Sequence, residues 1–132
     1  MPPFPYHTVF VALADRNRQL VSFYRELLGQ PPQTEIPGGY AEFQLAGLRL
    51  GIFQPKVDHL PEFAAPSSGS MSLCFEVAQL EVAIDRLTAM GYPPPGTITT
   101  ASHGREIYAY DPAGNRLILH ESSPKPLQNT NF

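Results

Sequence analysis

The sequence predicts an α+β fold made of two βαβββ modules whose mixed sheets curl around a central groove. Three observations predict it. A strand-like run followed by a helix-like run occurs twice in the same order: residues 7–13 then 20–28, and residues 71–77 then 80–90. Each helix-like run stops at a glycine, Gly29 and Gly91, 62 positions apart (91 minus 29). Each stop is followed by short β-like segments. Module one is expected to span about residues 6–54, a connector 55–69, module two about 70–121, and a tail 122–132.

The elements follow from spacing. In the first helix Leu20, Phe23, Tyr24, Leu27 and Leu28 form one apolar stripe, and Asp15 or Asn17 can cap its start. Gly29 suits a left-handed C-terminal cap. Tyr40 to Leu45 turns at Ala46-Gly47 into Leu48 to Gln54. In the strand before the second helix, Met71, Leu73, Phe75 and Val77 alternate with Ser70, Ser72, Cys74 and Glu76; the apolar set should pack on the helices. The second helix repeats the stripe at Leu80, Ala83, Ile84, Leu87 and Met90. Pro93-Pro94-Pro95 forbids its continuation. Arg105 to Tyr110 then turns through Asp111-Pro112-Ala113-Gly114-Asn115 into Arg116 to Glu121, with proline presetting one φ and Gly114 and Asn115 tolerating positive φ.

Composition narrows the function. The chain has 132 residues, 42% hydrophobic and 16% charged, with a net charge of −3. That describes one ordinary globular domain with no basic face, so nucleic acid and membranes are not expected partners. No apolar run is long enough to span a bilayer, and no signal-peptide layout opens the chain. The single cysteine, Cys74, excludes an internal disulfide and fits a reducing cytoplasm.

Strand alternation assigns the side chains to faces. Ala41, Phe43, Leu45, Leu48, Leu50, Ile52, Ile107, Ala109, Leu117 and Leu119 should face the helices. The other face should carry Tyr40, Glu42, Gln44, Arg49, Gly51, Phe53, Ser72, Cys74, Glu76, Glu106, Tyr108, Tyr110, Arg116, Ile118 and His120. Aromatic faces and charged handles in one concavity suit a small organic molecule.

The segment from His7 to Gly29, with Phe23-Tyr24 and Leu28-Gly29, and the hairpin Tyr108-Ala109-Tyr110-Asp111-Pro112-Ala113-Gly114-Asn115-Arg116-Leu117 resemble the glyoxalase / bleomycin-resistance / extradiol-dioxygenase superfamily (vicinal oxygen chelate fold). The resemblance runs from about Tyr6 to Glu121. It implies a glyoxalase-like fold and, in the metalloenzymes, one divalent ion held by four side chains, two from each module. Carried over position by position, three of those places fall on Ile118, Gly51 and Ser72. Only Ser72 has a side chain that can donate, and it is a poor ligand for zinc, nickel or iron. The fourth falls on Val9 without a gap, or on His7 if the loop near Arg16 holds a two-residue insertion, which makes His7 the one metal candidate.

The resemblance therefore implies a metal-independent binder of a small organic ligand with no cofactor, and by family habit a homodimer. Its expected ligand contacts are Tyr40, Arg49, Phe53, Ser72, Glu106, Tyr108, Tyr110, Arg116 and His120. A second reading is a lyase, isomerase or dioxygenase-type enzyme. It would use metal-free acid–base chemistry, with Glu106 or Glu76 as base and Tyr108 or His120 as partner, or a displaced divalent ion on His7, His120 and Glu106 or Glu121. A third is a structural or regulatory module without turnover. Against these stand plainer roles: His7 as a polar strand-end residue, His103 as a solvated loop residue, Arg49 and Arg116 as partners of neighbouring glutamates, Cys74 as a small buried side chain, and Asp111 and Asn115 as turn formers.

Overall fold

The computed structural model of the chain describes residues 3–5, 7–64 and 69–123. The chain divides into two compact units, Met1–Ala65 and Pro66–Phe132. The division falls inside the stretch expected as connector. Residues 124–132, most of the expected tail, lie outside the described residues.

The first unit runs β1 (Val11–Ala14), α1 (Leu20–Leu28), β2 (Thr34–Ile36), β3 (Tyr40–Leu45) and β4 (Leu48–Phe53), then a 3₁₀ turn at Val57–Phe63. Its sheet has the order β1-β4-β3-β2, with β1 parallel to β4 and the other pairs antiparallel. The second unit repeats this as β5 (Leu73–Glu76), α2 (Leu80–Ala89), β6 (Thr99–Ala101), β7 (Gly104–Tyr110) and β8 (Arg116–Ser122). Its order is β5-β8-β7-β6, and the parallel pair is again first strand with last. The duplicated βαβββ pattern is thus realised as two four-stranded mixed sheets, one per unit.

The helices end as their glycines dictate. Gly29 takes φ 67°, and its N–H reaches the Arg25 carbonyl, closing α1 in a left-handed cap. At the end of α2 the Tyr92 N–H reaches Leu87 O and the Gly91 N–H reaches Thr88 O, with Gly91 at φ 94°, a Schellman pair. The N-cap position of α1 is Gln19, and Asp15 serves the helix start from four residues earlier: it is 1% exposed, and its Oδ1 accepts the Gln19 and Leu20 N–H groups. The expected turn formers act as such. Asp111 Oδ1 accepts the N–H groups of Ala113 and Asn115, and its Oδ2 accepts Asn115 Nδ2 at 2.8 Å.

Alternation places the core. Leu20, Phe23 and Tyr24 of α1 are buried along with Ala41, Phe43, Leu50 and Ile52 of its sheet. In the second unit Leu80 and Leu87 are buried along with Ile107, Ala109, Leu117 and Leu119. Each fully buried leucine contributes about 1.5–3 kcal/mol.

Both first strands are shorter than expected. The parallel ladder of β1 begins only at Val11, opposite Leu50; Val9 is 75% exposed, and the Phe10 ring turns instead to the Arg49 guanidinium at 4.5 Å. Met71 was expected to pack on a helix. It precedes the β5 ladder, which starts at Leu73, and is 82% exposed.

Candidate functional site

In each unit the helix covers one face of the sheet, and the candidate residues lie on the other. On the second unit, register sets them in rows across the strands. Tyr110 lies opposite Arg116; Tyr108 lies opposite Ile118, which adjoins Cys74; Glu106 lies opposite His120, which adjoins Glu76.

In the third row His120 and Glu76 are hydrogen-bonded. His120 Nδ1 lies 2.8 Å from Glu76 Oε1, and Ser122 Oγ donates to the other carboxylate oxygen. Burial works to raise the Glu76 pKa, but the bonds from Ser122 and His120 outweigh it and hold the carboxyl below its ordinary value. His103 Nδ1 meets His120 Nε2 at 3.2 Å. A carboxylate only accepts, so neutral His120 carries its proton on Nδ1 and its Nε2 accepts from His103. His103 is therefore not a merely solvated loop residue. The pairing of Gly104 with Ser122 carries the residue before Gly104 to the side of His120, and that register was the one signal for it.

Among the described residues Arg116 does not pair with a glutamate, the plainer role expected of it. Its Nη1 donates to Ser72 Oγ at 3.1 Å. Tyr108 is 48% exposed. Cys74, expected to be buried, is exposed, because it points to this open face, away from α2.

The first unit's open face is more self-satisfied. The Tyr40 hydroxyl donates to Glu42 Oε1 at 2.8 Å, and burial followed by that bond raises the Tyr40 pKa above 10.0. The Arg49 Nε pairs with Glu42 Oε2 at 3.6 Å, too far for a hydrogen bond, and this buried Nε makes no hydrogen bond among the described residues. The glutamate pairing expected for Arg49 as its plainer role is thus present. Arg49 also lines a depression of about 210 Å³ with Thr8, Val9, Gln44, Gly47 and Leu48. Phe53 lies opposite Tyr40, and its ring meets Phe63 edge-on at 5.2 Å.

The four places where a divalent ion is expected in related enzymes offer little to hold one. Gly51 has no donor, and Tyr40 closes the space above it: a Cβ built on Gly51 would stand 2.7 Å from the Tyr40 hydroxyl. Ile118 is aliphatic. Ser72 already accepts from a guanidinium, a cation standing where a cation would have to bind. His7 is exposed and precedes β1. These residues do not fit the ion. Among the described residues no three His, Cys, Asp or Glu side chains gather as metal ligands anywhere else. Of the displaced set, His7 belongs to the first unit, and within the second unit only His120 and Glu106 share a face. Glu121 does not share the face of His120: it accepts the Arg105 guanidinium and the Leu80 N–H near the start of α2. No described helix is long and apolar enough to cross a membrane.

Residues 7–119 match the family model described as Glyoxalase/Bleomycin resistance protein/Dioxygenase superfamily. No curated protein is similar enough to match. Among solved structures, the chain is similar to a glyoxalase-related enzyme from Fulvimarina pelagi, at 25% identity and TM-score 0.70, covering 92% of this chain and 93% of that one. It is also similar to a fosfomycin resistance protein from Listeria monocytogenes, at 15% identity and TM-score 0.70, covering 92% and 97%. A lactoylglutathione lyase from Agrobacterium tumefaciens matches at 21% identity and TM-score 0.64, covering 97% and 99%. The last two likenesses concern the fold alone.

Proposed function

The chain belongs to the glyoxalase/bleomycin resistance/dioxygenase superfamily, and from that premise we propose that it binds a small organic molecule on its open sheet faces without a metal ion. The observation that carries this reading is the state of the metal places. One is roofed by the Tyr40 phenol, one is aliphatic, and one is bonded to Arg116. The remaining surface offers an exposed tyrosine ring flanked by polar groups, the composition of a site that orients a ligand by shape and a few hydrogen bonds. By analogy with the superfamily, the working form is a homodimer in the cytoplasm.

A second reading is favoured by one feature, the Glu76–His120 pair. A carboxylate that fixes the imidazole tautomer is what general-base chemistry requires, and His103 supplies a second imidazole to pass a proton on. In that reading Glu76 positions and His120 accepts, while Glu106 and Tyr108 touch the ligand.

Elemental analysis of protein purified without chelator is expected to find no stoichiometric zinc, nickel, iron or manganese. One equivalent of any of them would overturn the metal-free reading. A thermal-shift screen of small organic compounds should find stabilisers, since a ligand at a hundredfold excess over its Kd adds about 2.7 kcal/mol. Tyr108→Ala should abolish the shift, and turnover of a stabilising compound, lost in His120→Ala, would decide for the enzyme.

A further inference from the structure

We propose that the ligand of the second unit's open face is a flat apolar molecule with an anionic group at one end and a cationic amine at the other. This rests on the binding reading above and names its ligand class.

The proposal comes from which charges on this face are already satisfied. Glu76 is answered by His120 and Ser122. Arg116 and Glu106 are not answered: among the described residues neither enters an ion pair, and Arg116 bonds only to a neutral hydroxyl. Both are half-buried, where an unneutralised charge costs more than on an open surface. They also stand at opposite ends of the face. Arg116 opens β8, while Glu106 lies opposite His120, four residues further along that strand. At about 3.3 Å per residue the two ends lie about 13 Å apart. They are too distant to neutralise each other, and their separation matches a small molecule in length.

The middle row selects the body of the ligand. Tyr108 pairs with Ile118, and neither carries a charge. A tyrosine ring 48% exposed beside an aliphatic side chain favours a flat apolar surface laid on it. The face therefore reads guanidinium, apolar strip, carboxylate. A guanidinium takes a carboxylate or phosphate in bidentate fashion, and the Glu106 carboxylate takes an ammonium.

The test uses the full chain and one rigid probe, 4′-(aminomethyl)biphenyl-4-carboxylate. Three controls accompany it: biphenyl-4-carboxylate, 4-(aminomethyl)biphenyl and the shorter 4-(aminomethyl)benzoate. Affinity is read by calorimetry and location by NMR shifts of the Tyr108 ring. The doubly charged biphenyl should bind about tenfold more tightly than each control, as charge-assisted hydrogen bonds imply. Arg116→Gln should erase its advantage over the amine, and Glu106→Gln its advantage over the carboxylate, while circular dichroism stays unchanged. Equal binding of the three biphenyls, with the Tyr108 ring still shifting, would overturn the charge assignment and leave the binding site standing. If no biphenyl shifts that ring, both the assignment and the site are wrong.

Discussion

Tyr40 shows how one small residue decides what a large neighbour does. With no side chain at Gly51, the Tyr40 ring lies over the strand and its hydroxyl reaches Glu42. Gly51→Ala puts a methyl group into that ring, although the backbone there accepts alanine. The expected result is a displaced ring, a broken bond to Glu42 and a loss of about 1 kcal/mol in urea unfolding. The phenol offers a second readout. Its pKa is raised, so the stability carried by the neutral hydroxyl is complete below pH 10.0 and disappears as pH rises through the raised value. Tyrosinate absorbance should show the Tyr40 midpoint move down in Gly51→Ala, since the displaced ring loses both its burial and its bond to Glu42. Sequence alone identified Gly51 as a place without a donor. The roof over it depends on a ring rotation that no periodicity encodes.

At the scale of the element, legibility tracked length and alternation. Both helices, both long hairpins and the faces of their strands were readable, because apolar spacing and turn residues agreed there. The strands β2 and β6 were not located. Each has three residues, all exposed, so there is no inside and outside to alternate between. The 3₁₀ turn was also missed, since it buries no residue and contains Pro61. Asp15 was readable as a cap but not as a buried one. It reaches over the loop to Gln19 and Leu20 while Gln54 Nε2 approaches its other oxygen at 3.4 Å, so it ties the start of α1 to the end of β4. Asp15→Ala should cost about 1–2 kcal/mol in chemical denaturation, at the upper end for a cap because the freed Leu20 N–H is buried and the Gln19 N–H partly so. A loss under 0.5 kcal/mol would mean that water replaces it.

For the molecule as a whole, one contribution to acid stability comes from Arg105. Its guanidinium grips both oxygens of Glu81 on α2, at 2.6 and 2.8 Å, and also Glu121 on β8, so helix and sheet share one cation. The hydrogen bonds from Arg105 pull the Glu81 pKa from 4.5 to about 2. A lowered carboxyl stabilises above its ordinary pKa and stops doing so as pH falls through the lowered one. Wild type should therefore exceed Glu81→Gln in stability at neutral pH, and the two should converge between pH 4.5 and about 2. Glu81 is exposed, so added salt should narrow the gap. The open faces were legible at this scale from alternation. Which residues meet across them was not, because that needs the register between strands, and register brought His103 to His120 and, among the described residues, left Arg116 and Glu106 without an ion pair.

The parallel pairing of each unit's first and last strands also orders events in time. Val11 finds Leu50, and Leu73 finds Leu117, only after nearly a whole unit has been synthesised. On the ribosome β1 must wait, its backbone donors facing water, until β4 has emerged, and β5 waits in the same way for β8. A nascent chain halted before residue 116 would hold a complete first sheet and a second that lacks an inner member, which leaves that half open to chaperones and proteases.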